Sequence, residues 1–258
     1  PITIGEAQRL TKSYLITSSE DRSANKLQYQ LLGDPAVALH LPTQKVVVDS
    51  INGISVNDTQ NKATLQAGSI ATICGHIEGN NDFTGLVSAT IRDSRELITC
   101  NMNASAAADS AFAFYDYTKY LFNGSDSIKN GKFNISFAVP MDINYSDKAG
   151  IMNFHAVSSD KQMLAHGYCT NFIVGGTAAV DNDSIGPSIY CYLNSPSFVN
   201  GGNVNSTPYF VAQITDANGI NSTGNGIGHD LQLIIDGDMA KTYTLNDNFA
   251  FDFGTYTR

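Results

Sequence analysis

No apolar run in this chain approaches the roughly 20 residues a helix needs to cross a bilayer, and no secretory leader is present. The missing leader excludes little, because the chain opens at Pro1 without a methionine, as a processed or excised piece would. Positive charge is scarce: 15 Lys and Arg stand against 24 Asp and Glu, a net charge of -9, and the basic residues are scattered singly. A nucleic-acid backbone or an anionic membrane surface would therefore be repelled, and both are excluded as partners. Charged residues of both signs make up only 15%, so Ser, Thr and Asn must cover the surface, a pattern common in exported proteins. The four cysteines, Cys74, Cys100, Cys169 and Cys191, lack CxxC or Cys/His spacing, which argues against a zinc site through sulfur. Cys74, Cys169 and Cys191 fall in strand-like runs, where a buried free thiol is expected and a disulfide is the alternative. Glycines form neither GxGxxG nor a Walker pattern, so nucleotide binding has no support.

What is present is mostly two-residue alternation. The exception is the opening "TIGEAQRLTKSYLITSSED", where Ile4, Ala7, Leu10, Tyr14 and Leu15 recur at helical spacing. After a polar loop, "LQYQLLGDPAVALHLP" (27–42) reads as a short strand, a Gly33-Asp34-Pro35 turn and a second extended segment. From Lys45 the period becomes two. "KVVVDSI" is a strand; "GSIATICGHIE" sets Ala71, Ile73, Gly75 and Ile77 on one face; "GLVSATIRD" does the same with Val87, Ala89 and Ile91. Between these last two, "GNNDF" reads as a hairpin loop. "NGKFNISFAVP" aligns Phe133, Ile135, Phe137 and Val139, and Pro140 ends the ladder. "GIMNFHAVSS" and "LAHGYCTNFIVGG" complete a set of β-sandwich character. "GGTAAVDNDSIGPS" (175–188) reads as a linker, and "SIYCYLN", "YFVAQITD" and "HDLQLIIDG" restart the strand pattern, with turns at Asn218-Gly219 and Asp236-Gly237.

Chemistry-bearing residues are thin. Asp34 lies just before Pro35, where its side chain accepts N–H groups of the following turn. A catalytic role would need His40, some 20 Å away along an extended chain, so a structural turn is expected. His76, His155 and His166 lie in strand patterns, where any two could meet across a ladder, but none is flanked by acidic residues; hydrogen-bonded or exposed strand histidines are expected. Cys74 with His76, or Cys169 with His166, lacks an oxyanion hole or orienting group. "DANGINSTGNGIGHD" (216–230), which holds His229, is as rich in Asp, Asn and Gly as a calcium loop. It lacks the EF-hand order, so no cofactor is expected and bound Ca²⁺ is the lesser alternative. Asp109-Ser110-Ala111, Asp126-Ser127-Ile128 and Asp183-Ser184-Ile185 match the Asp-Ser/Thr-aliphatic motif of bacterial O-glycosylation.

Three stretches carry a family resemblance. "YQLLGDPAVALHLP" resembles the end of the caspase-like peptidase domain of gingipain-family cysteine endopeptidases. "LFNGSDSIKNGKFNISFAVPMDINY" and "AHGYCTNFIVGG" resemble the immunoglobulin-like domain that follows it. "DANGINSTGNGIGHDLQLIIDG", with "YTLND", is similar to the next module in the branch that serves as signal peptidase or sortase of the type IX secretion system. The resemblance implies a mainly β chain: residues 1–42 the tail of a caspase-like α/β domain, 43–176 an immunoglobulin-like sandwich, and 177–258 a second, truncated sandwich. It further implies a parent peptidase using a Cys thiolate at the bacterial cell envelope, with an upstream caspase-like domain and outer-membrane secretion components as partners. The family's catalytic Cys and His have no match here, so a non-catalytic scaffold is expected. The competing reading is a stand-alone adhesin or glycan-binding protein whose aromatic patch would be "FAFYDYTKY" (112–120).

Overall fold

A computed structural model describes residues 2–18, 23–100, 111–179, 185–222 and 230–258. It divides into two compact units, Pro1–Thr43 and Gln44–Arg258.

In the first unit, helix α1 (Ile4–Ser18) forms where the sequence places it. Thr3 precedes it, and its Oγ1 accepts the Glu6 N–H at 3.2 Å, half of a capping box. None of its residues is buried. The expected strand at residue 27 does not form: Asn25–Gln28 is instead one helical turn, α2, and residues 29–43 contain a single β-bridge, Ala38 to Thr3. An apolar run becomes a strand only when a ladder neighbour is available, and here the backbone bonds go to the start of α1.

The second unit holds sixteen described strands: β1 (Gln44–Ile51), β2 (Ile54–Ser55), β3 (Thr64–Ala67), β4 (Ile70–Ile77), β5 (Gly85–Arg92), β6 (Glu96–Cys100), β7 (Phe112–Asp116), β8 (Tyr120–Ile128), β9 (Lys132–Ala138), β10 (Ile151–Ser158), β11 (Leu164–Cys169), β12 (Ile173–Thr177), β13 (Ser188–Leu193), β14 (Phe210–Thr215), β15 (Gln232–Ile234) and β16 (Thr242–Thr244). Seven of them follow the order β8-β5-β10-β11-β1-β4-β9, with β2 folded back on β1. Strand β1 is the joint: Gln44 and Lys45 pair in parallel with β11, and Val46–Ile51 pair antiparallel with β4.

The path curls so that its two ends meet. Phe122 on β8 stacks on Phe137 of β9, ring centroids 5.0 Å apart, and Phe133 on β9 meets Phe154 on β10 at 5.6 Å. Between them lies one core that contains every residue the alternation assigned to it: Ala71, Ile73 and Ile77; Val87, Ala89 and Ile91; Phe133, Ile135, Phe137 and Val139. Gly75 is there for a packing reason: a Cβ would lie 2.4 Å from the Phe133 ring and from the Val47 carbonyl.

"GNNDF" does not close a hairpin. Strand β4 pairs with β1 and β9, whereas β5 pairs with β10 and β8, so this loop carries the chain from one half of the path to the other. Alternation fixes which side chains face inward but not which strand lies alongside. An unpredicted hairpin sits at Asn52-Gly53, whose φ values of 52° and 78° suit the two-residue turn between β1 and β2.

Beyond β12, which pairs in parallel with β3, the described strands form two separate two-stranded pieces, β13-β14 and β15-β16. Phe251 and Tyr256 pack on the core cluster, Phe251 stacking on Phe122 at 5.3 Å, and Ile220 is buried.

Candidate functional site

The Gly33-Asp34-Pro35 turn is built by its own residues. Gly33 has φ 142°, a region L side chains rarely adopt. Asp34 is exposed; its Oδ1 accepts the Ala36 N–H at 2.8 Å and its carbonyl accepts the Val37 N–H at 3.3 Å. The turn then serves the helix. Gly5 N–H donates to the Pro35 carbonyl at 3.0 Å and Ile4 N–H to the Val37 carbonyl at 2.9 Å, satisfying N-terminal donors that a helix leaves without internal partners. A Cβ at Gly5 would lie 2.5 Å from Pro35 Cβ, so this approach requires glycine.

The cysteines are all free. Cys169 is buried, and burial pushes its thiol above the usual range, against a smaller opposing effect of a backbone hydrogen bond from Asn171. Such a thiol is a poor nucleophile at neutral pH. Cys191, expected in a packed strand interior, is exposed on β13, which no second sheet covers among the described residues.

The histidines partly meet. His155 and His166 lie directly opposite each other on β10 and β11, both exposed, and His166 also neighbours Lys45. His76 has an acidic neighbour that was invisible in the linear sequence: its Nδ1 lies 2.9 Å from Asp49 Oδ1. The cause is a register shift in β1, where Val48 pairs with Gly75 and Ser50 with Cys74, leaving Asp49 as the extra residue of a bulge. His40 is exposed in the first unit. No group of three or more His, Cys, Asp or Glu that could hold a metal occurs among the described residues.

Asp109-Ser110 and Asp183-Ser184 of two of the three Asp-Ser-aliphatic triplets, together with residues 223–229 of the 216–230 loop, His229 among them, fall outside the described residues, as does the middle of the 175–188 segment. The third triplet lies within β8: Asp126 Oδ1 accepts the Ser127 N–H at 2.6 Å, Ser127 is half-buried and Ile128 is fully buried.

A buried carboxylate that sequence reasoning did not single out has its pKa raised. Asp93, just past β5, is fully buried. It accepts the backbone N–H groups of Ser94 and Asn144, each at 2.5 Å, and its own N–H donates to the Lys119 carbonyl at 2.9 Å. Burial raises its proton affinity more than those hydrogen bonds and the Lys119 charge lower it. Around it Ser94 Oγ lies 2.7 Å from Ser146 Oγ, Asn144 Nδ2 donates to the Ser94 carbonyl, and Tyr145 Oη donates to the Met141 carbonyl at 2.8 Å. No histidine joins this network in the contacts among described residues, so it ties the end of β5 to the turn before β10 and offers no nucleophile–base pair.

The second exposed feature is the β6-β7 ribbon. Every residue of β7 is exposed, and cross-strand pairing puts Ile98 beside Phe114 and Leu97 beside Tyr115, so both faces are apolar. At its base Arg92 lies 4.6 Å above the Tyr120 ring and Arg95 5.0 Å from Tyr117. Arg92 Nε, buried, has no hydrogen-bond partner among the described residues.

A crystal structure of dimeric latent PorU from Porphyromonas gingivalis is similar to this chain, at 32% identity and a TM-score of 0.55. The likeness covers 95% of this chain and 23% of that one, so the chain corresponds to under a quarter of the longer protein. No protein-family model and no curated protein matches. The chain is thus related to PorU over most of its length. No described helix is long and apolar enough to cross a membrane.

Proposed function

We propose that this chain is a non-catalytic, β-rich scaffold of a longer cell-envelope cysteine peptidase of the type IX secretion sortase kind, with an active site on polypeptide outside these residues. The observation that carries the reading is the 32% identity to PorU over 95% of the chain. Two features agree with it. The Cys169 thiol is buried and held protonated, and although Asp49 meets His76 Nδ1, no hydrogen bond joins Cys74 to His76 or Cys169 to His166 among the described residues. The strand order β8-β5-β10-β11 against β1-β4-β9, with β1 shared, supports an immunoglobulin-like sandwich; so does Tyr145, whose hydroxyl reaches back four residues in the manner of a tyrosine corner. In this role residues 1–42 belong to the tail of a caspase-like domain, and the partners are that domain and outer-membrane secretion components. The test is the parent reading frame and the purified chain: a peptidase domain upstream of Pro1 and no cleavage of unfolded protein substrates are expected. Cleavage abolished by replacing one of the four cysteines would overturn the reading.

A second reading, a surface adhesin or glycan binder, is favoured by the exposed aromatics of the β6-β7 ribbon, where Tyr115 is 63% exposed. Saturable glycan-array binding lost in Tyr115→Ala and Tyr117→Ala would carry it; an array signal unchanged by both would remove it.

A further inference from the structure

The ladder that brings His155 and His166 together gives their pairing a definite geometry. The Ser158 N–H donates to the Met163 carbonyl at 3.0 Å, so residues 158 and 163 form a hydrogen-bonded pair. Bonded and non-bonded pairs alternate along antiparallel strands. Three steps on, His155 and His166 are therefore a non-bonded pair, in which the Cα atoms stand about 4.5 Å apart and the side chains are closest. The other side of β10 agrees: the Ser159 N–H donates to the Thr84 carbonyl at 2.9 Å, which directs the backbone bonds of His155 toward Ser88 on β5. The core fixes this register, because Phe154, Ala156 and Ala165 are buried in it and a slip of one residue would turn the histidines inward.

Both histidines are exposed on the outward face of the seven-strand path. Neither imidazole makes a hydrogen bond or an ion pair among the described residues, in contrast to His76, whose Nδ1 meets Asp49. In register on one side stands Ser88, whose Oγ lies 2.9 Å from Ser125 Oγ. On the other side stands Lys45, whose ammonium lies 3.6 Å from Glu78 Oε2. Along the strands the next outward pairs are Asn153 with Tyr168 and Val157 with Leu164. No carboxylate or thiol is in register beside the imidazoles, and the one cation in register is matched by its own acid. The strands that set this arrangement, β1, β5, β10 and β11, consist entirely of described residues.

We propose that His155 and His166 form a two-ligand chelate for a divalent first-row transition ion, with Cu²⁺ binding tightest. Imidazole nitrogen suits these ions, whereas Ca²⁺ and Mg²⁺ take oxygen ligands. Directly opposed Cβ atoms stand about 4.5–5.5 Å apart, so both rings can reach one ion. With no thiolate or carboxylate to select geometry, the general affinity order for nitrogen ligands applies, and it peaks at copper. Structural zinc takes four protein ligands and catalytic zinc three, so a two-ligand site fits neither role. Its remaining coordination positions stay with water or with a donor from solution, and the ion exchanges. The inference rests on ladder register and does not depend on the peptidase-scaffold reading.

The test uses the intact chain without a histidine tag and Ni²⁺ as the probe, because Cu²⁺ would oxidise the free thiols. Calorimetry should show one Ni²⁺ per chain, and the ring signals of His155 and His166 should broaden together in NMR before those of His40 and His76. His155→Gln and His166→Gln should each weaken binding about tenfold or more, and the double variant should lose little beyond either, since chelation needs both rings. Both positions are exposed, so the unfolding midpoint without metal should not move; with excess Ni²⁺ it should rise in the wild type and stay in place in the variants. Absence of one-to-one binding, a single variant that binds within about twofold of wild type, or losses that add in the double variant as for independent sites would each overturn the proposal. So would binding that survives both histidine changes and disappears in Cys191→Ser, since the exposed thiol would then be the ligand.

Discussion

Strands β9 and β13 read alike and end differently. In "KFNISFA" the inward residues Phe133, Ile135 and Phe137 are at most 4% exposed, while in "SIYCYL" the first four residues, Tyr190 and Cys191 among them, are all exposed. Both strands have hydrogen-bonded neighbours; what separates them is a second layer. β9 faces β8 and β10 across a shared core, and β13 belongs to a two-stranded piece with no sheet opposite it among the described residues. Hydrophobic stabilisation follows area removed from water, so the seven-strand path should carry most of this unit's stability and the 185–258 region should share its apolar core mainly through Phe251 and Tyr256.

Mutations can break or sharpen that contrast. Phe137→Ala should have the largest effect, costing about 3–5 kcal/mol in urea unfolding, because a fully buried ring leaves a cavity stacked against Phe122. A loss below about 1 kcal/mol would mean the two halves of the path do not share a core.

Asp93→Asn comes next, at about 1–3 kcal/mol, since an amide offers one acceptor where the Ser94 and Asn144 N–H groups need two. Its pH dependence has a definite sign. The Asp93 pKa is raised in the fold, so its contribution is complete below the ordinary value of 3.8 and is lost as pH rises through the folded value. The stability gap between wild type and Asp93→Asn should therefore be widest in acid and narrow toward neutrality; a gap that widened with pH would contradict the burial assigned to this carboxylate.

Phe251→Ala should cost less, about 1–2 kcal/mol in proportion to its partial burial, and should raise hydrogen exchange in residues 185–258 more than in β4 or β9. Equal changes in both regions would show that they unfold as one. Smallest of all, Tyr190→Ala should stay within about 0.5 kcal/mol, as for surface positions generally. A cost comparable with Phe137→Ala would mean that β13 is covered after all.

Much of the fold was legible because period-two patterning is a local property: each expected inward set on β4, β5 and β9 lies in the core, and α1 occupies its helical stretch. Neighbour relations were not legible. "GNNDF" looked like a hairpin loop and is a crossing between the halves; "LQYQLL" looked like a strand and gained no ladder. The His76–Asp49 contact depended on a bulge, and the Asp93 network on residues some fifty positions apart, Ser94 and Asn144 being separated by 50. Asn52-Gly53 could have been read as a hairpin turn from its dipeptide alone.

Composition and alternation by themselves determined that this is a β-rich chain with little positive charge, which residues turn inward, and that Gly33-Asp34-Pro35 makes a turn. Only the tertiary structure decided which strands lie side by side and which apolar faces find a cover. Those outcomes depend on contacts between residues far apart in the chain, and the free energy of such contacts exists only once both partners are in place.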